Sequence, residues 1–201
     1  MTQKQKTHHL AVAALLAAVA AVLQFVEFSI PIMPAFVKLD VSDLPALLGT
    51  FSLGPVYGVA IQLVKNLLHL PFGSSACVGE LSNFLLGATF AFIAGIIYKK
   101  HKNRSGALWG SVAGAAAMAL ISLPLNYFIV YPAYVVLYGL PLEGIVGMYE
   151  AILGTVAHAP TGNALFNCLL VFNVPFTLCK GLLDVALCFL IYKPLSPLLH
   201  K

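Results

Sequence analysis

Uncharged apolar runs of roughly 20 residues recur along this 201-residue chain. About 20 apolar residues in a helix cross the ~30 Å hydrocarbon core of a bilayer. In lipid every backbone polar group must be satisfied internally, which leaves helices or a closed barrel. A barrel shows short alternating strands, and these runs do not alternate. Composition agrees: 60% of residues are hydrophobic and 9% charged, against about 25% charged in a soluble domain. The expectation is an all-α membrane protein, a single integral membrane domain over residues 1–201. The N-terminal run has no Ala-x-Ala site followed by a polar mature region, so it reads as a permanent first span rather than a signal peptide.

A net charge of +4 invites a nucleic-acid reading, but its distribution points elsewhere. Lys4 and Lys6, then Lys99, Lys100, Lys102 and Arg104, then Lys193 and Lys201 make three basic segments free of acidic residues. That is the positive-inside pattern, so all three are expected on the cytoplasmic face. The partner implied is the lipid bilayer, not nucleic acid. Cys77, Cys168, Cys179 and Cys188 show no C-x-x-C spacing and read as small buried apolar side chains.

Six transmembrane helices follow, with both termini cytoplasmic: about 10–28, 43–53, 55–70, 80–98, 106–130 and 174–192. Parity decides the second and third. If 44–70 crossed once, Lys99–Arg104 would emerge outside, against the charge rule. A turn at Gly54-Pro55 restores it, at the expense of a first arm of about 16 Å, which must be buried against neighbours. In the first span Ala13, Ala17 and Ala21 lie four apart, as do Ala14 and Ala18. Such a stripe allows close helix approach, either inside the bundle or as a docking face for a membrane partner. Gly110 and Gly114 form a G-x-x-x-G read as internal packing. Residues 29–43 form an outer loop long enough to fold over a site. Residues 133–173 read as an outer excursion with interfacial or re-entrant helix.

Polar groups collect at the outer ends of these spans. Lys180 and Asp184 sit one turn apart in the last span. A lone charge at mid-membrane costs at least about 2.5–3.5 kcal/mol, and at i and i+4 the two are expected to neutralise each other. Intramembrane ionisable residues mark sites, so Lys180 is also expected to donate to a ligand. Asn173 and Thr177 extend the stripe, and Glu80, Asn83, Asn126, Lys65 and Asn66 lie on the same side. Amides donate and accept, which suits a flat heterocycle, and Tyr127 and its aromatic neighbours can stack on its face.

The residues that carry these groups form a recognisable set: K-L-D-x-S-D-x-P-A-L-L from Lys38, L-G-P-x-x-G from Leu53, K-N-L from Lys65, G-E-L-S-N-F-L-x-G from Gly79, N-Y-F at 126–128 and P-F-x-x-x-K-G from Pro175. In order and over nearly the whole chain, they resemble the substrate-binding S component of energy-coupling factor (ECF) transporters, most closely the riboflavin-specific branch. The resemblance implies a six-helix protein that binds a vitamin near the outer face, pairs with a transmembrane scaffold subunit and two cytoplasmic ATPases, and docks through the alanines at 13, 17 and 21. It implies a flavin pocket using Leu39, Asp40 and Asp43 of the first loop, Asn126 and Lys180, with riboflavin as transported ligand and no cofactor. Thr177 stands where that branch commonly has Asn, and Asn173 is the residue placed to compensate.

Rival readings differ in class. The same family with pyridoxine or a thiamin precursor is one. An intramembrane enzyme is another, but the chain has no H-E-x-x-H and no G-x-S-x-G. His69 and His158 are expected near the outer face with no carboxylate beside them, and no metal site is expected. The third is a stand-alone facilitator. The chain has no G-x-x-x-x-G-K-[ST], so any ATP hydrolysis must come from partners.

Overall fold

The computed structural model describes residues 2–34, 36–73, 77–139, 141–153 and 163–199. Among these the architecture is a helical bundle with one two-residue hairpin. Helix α1 (Gln3–Phe25) absorbs the expected polar tail. Thr2 caps it, with the Thr2 and Gln5 side chains each bonding the other's backbone amide. This satisfies N–H groups that a helix start leaves orphaned.

Strands β1 (Phe28–Ser29) and β2 (Lys38–Leu39) pair antiparallel and close the first loop on itself. Helices α2 (Asp43–Leu53) and α3 (Pro55–His69) meet at Gly54, whose φ of 112° suits glycine alone. Pro55 follows in the first turn of α3, where its missing N–H costs nothing. Helix α2 is buried from Asp43 to Phe51, because its 11 residues lie inside the bundle.

Helix α4 (Val78–Lys100) and helix α5 (Arg104–Leu125) pack closely. Glycine makes this contact: a Cβ on Gly110 would stand 2.8 Å from the Ala94 carbonyl oxygen, and one on Gly114 2.7 Å from that of Phe90. Asn103 caps α5, its Oδ1 accepting the Gly106 N–H at 2.6 Å. Beyond Leu125 the helix widens into a π turn at Asn126–Val130 and continues as α6 (Tyr131–Tyr138). Helix α7 (Leu142–Leu153) and helix α8 (Ala164–Cys168) follow, then a second π turn at Leu169–Asn173 and helix α9 (Val174–Leu199). Among the described residues, four helical segments are long and apolar enough to cross a membrane: Gln3–Phe25, Val78–Lys100, Arg104–Leu137 and Ala164–Ile191.

Two expectations need correction. The fifth helix runs to residue 138 rather than about 130, and the last begins at 164 rather than 174. Proline is read as a helix breaker in sequence, yet Pro132 and Pro175 each sit two residues after a π turn. A proline ring clashes with the carbonyl four residues back, and an extra residue in the turn makes room for it while the helix continues. Within 133–173, α7 packs Ile145 and Tyr149 into the core beside Cys168, Leu169 and Phe172. Of the cysteines, Cys168 and Cys188 are buried while Cys77 and Cys179 are exposed.

The alanine stripe also divides differently. Ala13, Ala17 and Ala21 are buried inside the chain's own bundle, with Ala13, Ala17 and Ala20 packed on Ala46 and Ile61. They hold α1 to α2 and α3, so they are not an open docking face. The other small residues of α1, Ala11, Ala14 and Ala18, face outward with Leu15, Val19 and Val22.

Candidate functional site

The first loop carries Asp40 just before α2, and the helix start carries Asp43. Asp40 Oδ1 accepts from the Ser42 amide at 2.8 Å and from the Ser42 hydroxyl. Asp43 Oδ1 accepts from Lys65 Nζ at 2.5 Å and Gln62 Nε2 at 2.9 Å, both from α3. Lys65 also donates to Ser42 Oγ at 2.6 Å. From α9, Lys180 Nζ donates to Asp40 Oδ2 at 2.9 Å and lies 3.5 Å from Asp43 Oδ2. Two lysines and two aspartates thus interleave, every one of them buried. Each buried charge needs its partner, because leaving one alone costs about 3–5 kcal/mol. Burial alone would push the Asp40 carboxyl up, but Lys180 and Lys65 outweigh it and hold the carboxyl below its ordinary value.

This network overturns the expected Lys180–Asp184 neutralisation. Helix side chains tilt toward the N-terminus, so Lys180 leans away from Asp184 and up toward the loop. Asp184 is fully buried, and neither carboxylate oxygen has a hydrogen-bond partner among the described residues.

Above the network lies a cavity of about 170 Å³. Asp40, Asp43, Glu80, Asn83, Asn126, Asn173, Thr177 and Lys180 all line it. Lys180 Nζ also reaches Asn83 Oδ1 at 3.4 Å. The two π turns position the amides: Asn126 opens the first and Asn173 ends the second. Asn173 is already engaged, accepting from Tyr149 OH at 2.6 Å and donating to Tyr131 OH at 3.2 Å, while the two tyrosine hydroxyls bond each other.

Three expected residues are elsewhere. Leu39 faces an apolar groove against α9 with Ile30, Met33 and Phe176. Tyr127 accepts from Asn163 Nδ2 at 2.7 Å and packs edge-on against Phe128 and Phe166. Asp184 does not line the cavity.

Other lining residues were not anticipated. Phe36 and Val37 reach in from the loop, and Phe36 packs against Tyr131, Tyr134 and Tyr149 with centroids 6.1, 5.6 and 6.5 Å apart. Lys38 is ion-paired with Glu27, and both line the cavity. On the α1 side stand Gln24, which donates to Asn66 Oδ1 at 3.2 Å, and His69, whose Nδ1 is 3.1 Å from Glu80 Oε1. His69 therefore does have a carboxylate beside it, contrary to expectation, and His158 lies outside the described residues. A loop aromatic leaves no periodic trace, so Phe36 had no sequence signal. Gln24 did: it is the one amide in the otherwise apolar run of α1.

The cavity thus offers aromatic faces, amide edges and two ammonium groups already held by carboxylates, Lys180 by Asp40 and Asp43 and Lys38 by Glu27. Among the described residues no group of three His, Cys, Asp or Glu side chains is placed to hold a metal. A planar, uncharged, multiply hydrogen-bonding ligand fits that donor set.

Residues 8–192 match the family model described as ECF transporter, substrate-specific component. The chain is 32% identical over 197 residues to "Riboflavin transporter RibU" of Staphylococcus aureus (strain TCH60), covering 98% of this chain and 95% of that protein. It is 29% identical over 201 residues to "Riboflavin transporter FmnP" of Bacillus subtilis (strain 168), covering 98% and 96%. A solved structure described as "Structure and mechanism of the S component of a bacterial ECF transporter" superposes with a TM-score of 0.75 at 31% identity, over 98% of this chain and 99% of that one. The fold, the cavity under the first loop and the matched length agree: the chain belongs to the substrate-specific (S) components of ECF transporters.

Proposed function

We propose that this protein is the riboflavin-binding subunit of an ECF-type, ATP-driven vitamin importer in the cell membrane. The observation that carries the reading is the composition of the cavity above the Asp40–Lys180 network, where Asn83, Asn126, Thr177 and Lys180 meet the aromatic groups of Phe36, Tyr131, Tyr134 and Phe176. Rings stack on the isoalloxazine, and amides and hydroxyls satisfy its edge and the ribityl chain. Riboflavin is uncharged, so Lys180 acts as a hydrogen-bond donor held by Asp40 and Asp43. The likeness to riboflavin transporters over nearly their whole length supports the same ligand. Pyridoxine or a thiamin precursor is the second reading, favoured only by Thr177.

The chain forms one integral membrane domain of six spans with both termini cytoplasmic. Helices α2 and α3 count as two short spans, which keeps the basic residues 99–104 on the same side as Lys4 and Lys6. The subunit works with a transmembrane scaffold and two ATPases. The exposed face of Ala14 and Ala18 on α1, rather than the buried Ala13, Ala17 and Ala21, is the docking stripe.

Import of labelled riboflavin into proteoliposomes tests this. Uptake is expected only when scaffold, ATPases and ATP are all present. Uptake by the chain alone would make it a facilitator.

A further inference from the structure

Glu80 and Tyr98 mark opposite ends of α4, about 27 Å apart along the helix. The first lines the ligand cavity; the second lines another cavity, of about 260 Å³, at the basic end of the bundle. Its inner walls are Phe51 of α2, Tyr98 of α4, Ala107 of α5 and Phe189 of α9. Phe51 is buried and Tyr98, Ala107 and Phe189 half-buried, whereas Lys102 and Arg104, which also line the cavity, are exposed. The cations therefore form the rim of an apolar interior.

No described residue forms an ion pair with that rim. Residues 99–104 carry four cations and no acid, and neither Lys102 nor Arg104 forms an ion pair with a described residue. Two cations over an apolar recess at a membrane edge match one kind of molecule, with an anionic head and a hydrocarbon tail. A peptide would bring unpaired backbone groups into the recess.

We propose that this cavity binds one anionic phospholipid from the leaflet at the basic end. Its phosphate lies between Lys102 and Arg104, and part of one acyl chain lies against Phe51, Tyr98 and Phe189. The site is separate from the ligand cavity and does not rest on the riboflavin reading.

Native mass spectrometry of the full-length protein, incubated in detergent with dioleoyl phosphatidylglycerol or dioleoyl phosphatidylcholine, tests it. The unaltered protein is expected to retain one phosphatidylglycerol, at least tenfold more than phosphatidylcholine. Lys102→Gln with Arg104→Gln lowers retention to the phosphatidylcholine level. Ala107→Leu, which fills the cavity and keeps both cations, lowers it too. Lys99→Gln with Lys100→Gln removes equal charge outside the cavity and leaves retention unchanged. Unchanged melting temperatures show that each variant is folded. Equal retention of the two lipids overturns the proposal. So does an equal loss in the Lys99/Lys100 pair, or full retention in Ala107→Leu, since either reduces the effect to diffuse surface charge. Displacement of the lipid by excess inorganic phosphate overturns the acyl-chain site and leaves an anion site. Unchanged lipid retention in the Lys102/Arg104 pair, with loss of co-purifying scaffold subunit, assigns the rim to a protein contact and overturns it as well.

Discussion

Lys180 Nζ lies 2.9 Å from Asp40 Oδ2, across 140 residues of sequence. This contact ties the last helix to the first loop, directly beneath the cavity. Lys38–Glu27 and the β1–β2 pairing hold the other side of the same loop. The loop that carries Phe36 over the cavity is thus fixed to a lysine that lines the cavity from α9.

Replacing Lys180 removes that link. Lys180→Ala is expected to weaken riboflavin binding at least tenfold, about 1.4 kcal/mol, as read by flavin fluorescence. It also leaves Asp40 short of a buried cation, so the melting temperature falls. Full affinity in a folded Lys180→Ala protein would remove this lysine from the site.

Asp184 should behave in the opposite way. It is a buried carboxylate with no hydrogen-bond partner among the described residues, and Lys180 is engaged elsewhere. Asp184→Asn is expected to keep riboflavin affinity within about threefold, well under 1 kcal/mol, and to leave the melting temperature level or raise it. A tenfold loss of affinity would show that Asp184 sets the position of Lys180.

Acid sensitivity follows from Asp40. Its folded pKa lies below the unfolded value of about 3.9. A depressed carboxylate contributes stability that is fully present above the unfolded value and lost as pH falls through the folded one. Melting temperature measured from neutral pH downward should therefore hold until about pH 4 and then drop. Asp40→Asn should be less stable at neutral pH and show a shallower acid limb. An acid limb as steep as that of the unaltered protein would place the titration elsewhere.

The two faces of α1 separate by experiment. Ala17→Leu puts three extra carbons into a contact where the alanine is 2% exposed, and overpacking costs about 1–3 kcal/mol, so the melting temperature drops. Ala14→Trp and Ala18→Trp project outward, so they should bind riboflavin normally and fail to support import. Normal import by both would exclude that face from scaffold docking.

The α4–α5 contact has no room for a side chain. Gly114→Val is expected to destabilise the protein by about 1–3 kcal/mol, because the added Cβ would meet the Phe90 carbonyl oxygen at 2.7 Å. An unchanged melting temperature would show that the helices separate freely.

Much of the helical layout was legible because lipid enforces long uncharged runs and Gly54-Pro55 is strong local punctuation. Most of the polar lining was legible as well, since Asn83, Asn126, Thr177 and Lys180 have no reason to lie in apolar helices unless they face a cavity. Three things were hidden. Lys180 and Asp184 lie one helical turn apart in sequence, but the tilt of helix side chains sends the lysine to a loop that only the fold brings near. Pro132 and Pro175 look like breaks, yet a π turn carries the helix past each. The alanines at 13, 17 and 21 and those at 14 and 18 share one spacing, and periodicity alone does not say which face meets α2 and α3.

Titration of the detergent-purified protein into riboflavin, followed by the flavin's own fluorescence, tests the central claim most directly. The single tryptophan, Trp109, is near the far end of α5 from Asn126, so protein emission is a poor reporter. The expected result is saturable quenching at nanomolar riboflavin with one site per chain, unaffected by excess pyridoxine or thiamin. A folded protein that leaves flavin fluorescence unchanged, or releases riboflavin to pyridoxine or a thiamin precursor, would contradict the assignment of riboflavin as ligand.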